Sequence, residues 1–209
     1  MNKSYFALTG LLIAMSVNAE PYVIGTIGRA TAQPSNDNGN AAWQQPGFPH
    51  SEQYKTRALS LGMGYELNKS LSMEARYVSH GLVKQKGEWV YTDQGDVNPE
   101  CYCRASGSAR VTGFTLSGIG RYYFAKDFSV GFEGGLFRWR ALWTEKMRLD
   151  GQDRYATHYA VKGSGTGALT GLILGYKQFD LRYEIFNVEP RNGSINKQVV
   201  TSAGYRYTF

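Results

Sequence analysis

The sequence predicts an all-β protein, a transmembrane eight-stranded antiparallel up-and-down β-barrel, from three observations. Apolar residues alternate with polar or small ones, the joins between these segments alternate between short and long, and the 209 residues include 25 Gly, 15 Tyr, 10 Phe and 4 Trp. Glycine is a poor helix former, whereas aromatic residues favour strands. A mean hydropathy of −0.39, with one apolar run at the N-terminus, excludes a helical membrane protein, which needs about 20 apolar residues per span.

The alternation is clearest from Phe179 to Ile185, where large apolar residues are separated by Asp180, Arg182 and Glu184. A period of two places these two sets on opposite faces of a strand, whereas a helix would mix them. The same pattern recurs in eight segments. The predicted strands are 22–30, 56–67, 70–80, 109–124, 127–143, 166–176, 178–188 and 197–209.

The joins between these strands predict how the barrel sits in a membrane. The short joins are 68–70, 125–127 and 177–178, and the long or polar ones are 31–55, 81–108, 144–165 and 189–196. Short turns at the periplasmic end and long loops at the extracellular end are typical of outer-membrane barrels. An eight-stranded interior has room for small and paired side chains, so the large apolar face is predicted to contact lipid.

The two ends of the sequence carry targeting signals. Lys3, the apolar core after it and the small-residue site Val17-Asn18-Ala19 predict a signal peptide at 1–19 and a barrel domain at 20–209. The last strand has aromatic residues at alternate positions, Tyr205, Tyr207 and Phe209, similar to the signal that the bacterial barrel assembly machinery recognises. The modest net charge of +6 does not indicate nucleic-acid binding.

Three stretches carry a resemblance to a known family: the hairpin at 120–136, the strand Leu181-Arg182-Tyr183-Glu184 and the C-terminal Phe209. The chain is similar to the OmpA-like family of small eight-stranded outer-membrane barrels, of the OmpX, Ail and AcfA type. The resemblance implies the cell outer membrane of a Gram-negative bacterium, with outer-membrane lipid and lipopolysaccharide as partners. It also implies that extracellular loops serve surface interaction, adhesion or colonisation by binding a host or environmental surface ligand, alongside a structural role in the membrane.

Nine charged residues fall on the inward face of the predicted strands. Because an unpaired charge in a narrow lumen is costly, the near balance of five acids and four arginines predicts an interior charge network that plugs the barrel. The alternative, which the OmpA-like resemblance implies, is a narrow gated pore for ions or small solutes that opens when these groups exchange partners. The residues are Glu66, Glu74, Arg76, Arg121, Glu133, Asp180, Arg182, Glu184 and Arg206.

Arg138 and Arg140 continue the lipid-facing phase of the fifth predicted strand. Strands tilted by about 45° bring residues about 11 positions above the periplasmic turn to the far bilayer surface. Arginine at that level is suited to bidentate contact with lipopolysaccharide phosphates. A solvated rim of ordinary charges is the alternative.

Cys101 and Cys103 lie in the predicted extracellular loop 81–108. Because an oxidising compartment permits a disulfide, the pair is predicted to staple the loop locally. A single intervening residue would leave that bridge strained.

Neither a catalytic site nor a metal site nor a cofactor is predicted. His50, His80 and His158 are the candidate general bases, and none has a serine two residues later, as a lipid A deacylase would require. A lipid A modifying enzyme therefore remains only a second alternative. Large rings in the predicted loops, such as Trp43, favour a binding surface, although they can also pack on one another.

Overall fold

The computed structural model describes residues 20–34, 50–53, 55–91, 101–149, 157–188 and 195–209. The predicted signal peptide at 1–19 and Trp43 lie outside the described residues. The described strands are β1 (Glu20–Pro34), β2 (His50–Gln53), β3 (Lys55–Asn68), β4 (Leu71–Tyr91), β5 (Cys101–Tyr123), β6 (Phe128–Leu149), β7 (Thr157–Tyr176), β8 (Phe179–Asn187) and β9 (Ile195–Thr208). Within these ranges, no helix is long and apolar enough to cross a membrane.

The strands close into one antiparallel barrel. β1 pairs with β3 on one side and with β9 on the other, and the pairing of β4 with β5 closes the sheet. β2 and β3 pair with successive parts of β4, so together they form one wall. The eight walls confirm the predicted fold class.

Strands β4 to β7 are longer than the alternation predicts. They contain 21, 23, 22 and 20 residues, whereas about 9–11 tilted residues cross a bilayer. The prediction of loops at 81–108 and 144–165 is therefore wrong over most of their length, because β4 and β5 stay paired as far as Tyr91 and Cys101. Outside lipid a sheet needs no continuous apolar face, so the signal that marks a strand weakens there.

The short turns and both described termini lie at one end of the barrel. The connections at 69–70, 124–127 and 177–178 join successive strands there. In the first of them, the Asn68 side-chain oxygen accepts hydrogen bonds from the amides of Ser70 and Leu71 at 2.8 and 2.9 Å. This local bond is the usual reason for asparagine in a tight turn.

The outward face carries a belt of large apolar side chains, as predicted. Leu61, Met63 and Phe114 are 69%, 67% and 65% exposed, which in an outer-membrane barrel means contact with acyl chains. Aromatic side chains at the turn end form a girdle of the kind that outer-membrane barrels carry at the membrane interface. They are Tyr65, Tyr122, Phe124, Phe128, Tyr176 and Phe179.

The inward face holds large rings as well as small residues, which the sequence did not reveal. Gly64 lies against the ring of Tyr22, and Gly165 lies against the ring of Trp139. A β-carbon at either glycine would overlap that ring. Glycines on one wall therefore make space for rings from the next, so the expectation that only small and paired side chains fill the lumen was too narrow.

Candidate functional site

The centre of the lumen is an ion pair between Glu74 on β4 and Arg182 on β8. Arg182 donates from its two terminal nitrogens to the two Glu74 oxygens, both at 2.7 Å. The Tyr22 hydroxyl donates to the same carboxylate at 2.8 Å, and all three side chains are buried. A two-bond pair fixes both planar groups, so Glu74 holds Arg182 across the lumen.

Arg76 joins two more carboxylates to this pair. Its Nη2 donates to Glu133 on β6 and to Glu184 on β8, each at 2.6 Å. Glu133 also accepts a hydrogen bond from Ser117 at 2.7 Å and lies 3.4 Å from Arg182. The Arg76 side chain thereby ties three walls of the barrel together.

Asp180 lies nearer the turn end, and three arginines contact its carboxylate. Arg121 donates to both Asp180 oxygens at 3.1 and 2.9 Å, and Arg182 donates at 3.0 Å. Arg206 approaches the same carboxylate at 3.4 Å and binds Glu66 at 2.8 Å. The Glu66 side chain is 29% exposed, so the network reaches water at this end.

All nine inward charges that the alternation identified therefore lie in one connected network. It draws on six of the strands and crosses the lumen from β3 and β4 to β8 and β9. Burial costs several kcal/mol per ion, and the reciprocal pairing offsets that cost. An ion could pass only if several of these pairs separated, so the arrangement is suited to closing the lumen.

A buried apolar layer lies on the long-loop side of the charges. The Phe137 and Phe186 rings meet edge to face with centroids 5.0 Å apart. Sequence reasoning missed this layer, although the inward alternation that contains Glu133 continues directly to Phe137 and Trp139. Its members are Ala30, Ala58, Val78, Val111, Phe137, Trp139, Leu169, Phe186, Val188 and Val200.

His80 lies between the charged and the apolar layers. Its ring is 4.5 Å from the Phe186 ring and 5.7 Å from the Phe137 ring, and its Nδ1 forms a hydrogen bond with the Gln198 side chain. These are the surroundings of a core histidine. The described residues contain no group of three or more side chains able to hold a metal ion.

Arg138 and Arg140 project outward just above the apolar belt. Leu136, the previous outward residue on β6, is 59% exposed, and both arginines are exposed. Arg138 donates to the Thr166 hydroxyl at 3.1 Å.

Two cations that the sequence did not single out share this surface. Arg110 on β5 and Lys162 on β7 both lie opposite Leu142 of β6 in the pairing register, and both are exposed. Only the register between strands brings them beside the two arginines, because they are far apart in the chain.

Cys101 and Cys103 lie in β5, not in a loop. Cys101 is opposite Tyr91 and Cys103 is opposite Trp89. Residues two apart in an extended strand point to the same face, so their β-carbons are separated by about the rise of two residues, roughly 6.6 Å. A disulfide brings its β-carbons to about 3.5–4.5 Å. The extended backbone therefore opposes the predicted staple.

The three residues of the predicted assembly signal face outward at the turn end. Tyr205, Tyr207 and Phe209 are 43%, 53% and 77% exposed. The Tyr205 ring lies 5.2 Å from Phe179, and the Tyr207 and Phe209 rings are 5.4 Å apart. They continue the aromatic girdle on the last strand.

Several solved structures are similar to this barrel. The Ail attachment invasion locus protein of Yersinia pestis, in complex with the heparin analogue sucrose octasulfate, matches with a TM-score of 0.53 at 12% identity, covering 90% of this chain and 99% of that chain. A second Ail structure matches with a TM-score of 0.50 at 13% identity and the same coverage. Neisserial surface protein A matches with a TM-score of 0.43 at 15% identity, covering 92% and 99%.

Comparison with curated proteins gives no match. The family model of the OmpA-like transmembrane domain matches residues 18–186, which is most of the chain. This match agrees with the closed barrel, its apolar belt and its aromatic girdle. The chain therefore belongs to the OmpA-like transmembrane domain family and lies in the cell outer membrane.

Proposed function

We propose that this protein is a surface-interaction protein, in which a closed barrel holds a projecting β-sheet outside the cell for adhesion or colonisation. The length of β4 to β7 carries the proposal, because each strand has about ten residues more than a bilayer crossing requires. Exposed segments on a rigid scaffold are a common basis for binding. The attachment role in the name of the Ail protein, which has the same fold, supports the proposal.

The projecting sheet offers an edge to a partner. Residues 157–168 of β7 pair with β6, whereas the pairing of β7 with β8 begins at Leu169. Over that length the described residues leave the second edge of β7 unpaired. An open edge presents amide and carbonyl groups that accept an extended segment of another chain.

The experiment shortens the hairpin at a defined register. Lys86 pairs with Ser106, so residues 87–105 can be replaced by Asn-Gly, which favours a two-residue turn. Cells that display the shortened barrel should attach to host-cell layers less than cells that display the original protein. A Lys126→Gln variant at a periplasmic turn is the matched control. If a folded shortened barrel attaches equally well at equal surface amount, the proposal is contradicted.

A second proposed partner is lipopolysaccharide at Arg138 and Arg140. Both arginines are exposed directly above the apolar belt, at the level of lipid headgroups. The double variant Arg138→Ala with Arg140→Ala should co-purify with less lipopolysaccharide than the original protein. Unchanged co-purification would contradict this contact and would leave the adhesion proposal standing.

The two alternative functions have less support. A gated pore requires a wet path, whereas the apolar layer with Phe137 and Trp139 lies across the lumen in series with the charges. A lipid A modifying enzyme requires an accessible base, and His80, the one candidate base whose side chain the structure describes, is 2% exposed and enclosed by Phe186 and Gln198.

A further inference from the structure

Two outward-facing arginines lie on neighbouring strands, β1 and β3. Arg29 on β1 lies directly opposite Arg57 on β3, and both are exposed. Side chains that are directly opposite in an antiparallel pair have β-carbons about 4.5–5.5 Å apart. Like charges at that distance destabilise a sheet, so this pair calls for a compensating group.

The surroundings of the pair favour an anion. Thr201 of β9 lies opposite Arg29 on its other side, and Lys55 of β3 is the next outward residue beyond Arg57. Among the described outward residues that adjoin the two arginines, none is acidic. Two guanidinium groups, an ammonium group and a hydroxyl group therefore occupy adjacent outward positions in the register.

The position of the pair along the barrel axis indicates the source of the anion. Ile27 and Leu59, the outward residues one step nearer the turns, are 64% and 54% exposed and belong to the apolar belt. Arg29 and Arg57 therefore stand where the belt ends on the long-loop side, at the headgroups of the outer leaflet. They are on a different wall from Arg138 and Arg140, which lie on β6.

We infer that Arg29 and Arg57 form a phosphate clamp that holds a phosphate monoester of the outer-leaflet glycolipid. A phosphate monoester carries about 1.5–2 negative charges at neutral pH and three acceptor oxygens. Arginine binds such groups through paired parallel hydrogen bonds. The clamp rests on the proposed lipopolysaccharide contact for its ligand class only, and its residues are separate.

The test isolates the clamp with purified protein in a maltoside detergent, which contains no phosphate. The background carries Arg138→Gln and Arg140→Gln, so the other wall does not contribute. The probes are bisphosphorylated lipid A, dephosphorylated lipid A and inorganic phosphate. The affinity for each probe is measured for this background protein and for the same protein with the further changes Arg29→Gln and Arg57→Gln. The matched control replaces Lys69 and Lys126, exposed at the periplasmic turns, by Gln.

Loss of both arginines should weaken binding of bisphosphorylated lipid A by about 10- to 100-fold, as expected for charged hydrogen bonds. The lysine control should bind like its background. Equal binding without the arginines, or equal binding of dephosphorylated lipid A, would overturn the clamp. Tighter binding of inorganic phosphate than of lipid A would overturn the glycolipid as its source.

Thermal unfolding gives a second readout that does not depend on an affinity assay. In detergent alone, Arg57→Gln should raise the Tm because it removes the repulsion from Arg29. With bisphosphorylated lipid A the same change should lower the Tm, because the phosphate then loses a partner. A Tm change of the same sign in both conditions would overturn the inference. Arg57→Lys should keep the charge but lose part of the rise in Tm that bisphosphorylated lipid A produces. A full rise in Tm would overturn bidentate binding by the clamp.

Discussion

At the scale of single residues, the interior arginines offset the free-energy cost of burying the interior carboxylates. Arg182 contacts the carboxylates of Glu74, Glu133 and Asp180. Arg182→Met removes the cation and leaves these acids less compensated, so we expect a loss of about 3–5 kcal/mol in the free energy of unfolding. Urea unfolding of the protein in lipid vesicles, monitored by gel mobility, measures this loss. The outward variant Arg138→Met is the control, and an equal loss there would contradict the role of pairing.

Two glycines test how the lumen is packed. A β-carbon at Gly64 would overlap the Tyr22 ring, whereas one at Gly118 would meet nothing within 4 Å. Gly64→Ala should therefore destabilise the barrel by about 1–3 kcal/mol and displace the Tyr22 hydroxyl from Glu74. Gly118→Ala should change stability by less than about 0.5 kcal/mol. The same unfolding assay compares them, and equal effects would show that the ring has room to move.

At the scale of elements, β4 and β5 stay paired from Leu71 and Gly120 to Tyr91 and Cys101, with one register shift between Ser79 and Leu82. Because Cys101 and Cys103 occupy an extended part of β5, we expect two free thiols rather than a bridge. Thiol titration of unfolded, unreduced protein counts them. Protein with both cysteines changed to serine gives the blank, and a count of zero thiols would mean that the strand bends at this point.

At the scale of the whole molecule, two layers close the lumen in series. The ion pairs lie toward the turn end, and the apolar layer that includes Phe137, Trp139 and Phe186 lies beyond them. We expect no single-channel steps from the refolded protein in a planar bilayer, because water is disfavoured in an apolar constriction. A heat-modifiability gel confirms that the barrel is folded. Regular conductance steps from such protein would support the pore instead.

The alternation of side chains, together with the lengths of the joins and the composition, was enough to predict the barrel, the short turns and the inward position of residues such as Glu74 and Arg182. It did not predict the ends of β4 to β7, since a strand in water alternates less clearly than one in lipid. It also left the outward partners of Arg138 unassigned. Arg110 and Lys162 are neighbours of that surface only because of the register between strands.

The sequence by itself determined the fold, the faces of the strands and the residues on each face, because a backbone with a period of two sends alternate side chains to opposite sides. Tertiary structure alone decided which of those residues meet. The strand pairing that places Arg29 beside Arg57 joins positions distant in the chain, and so does the ion pair between Glu74 and Arg182. Their contacts depend on the register and closure of the barrel, which no single strand contains.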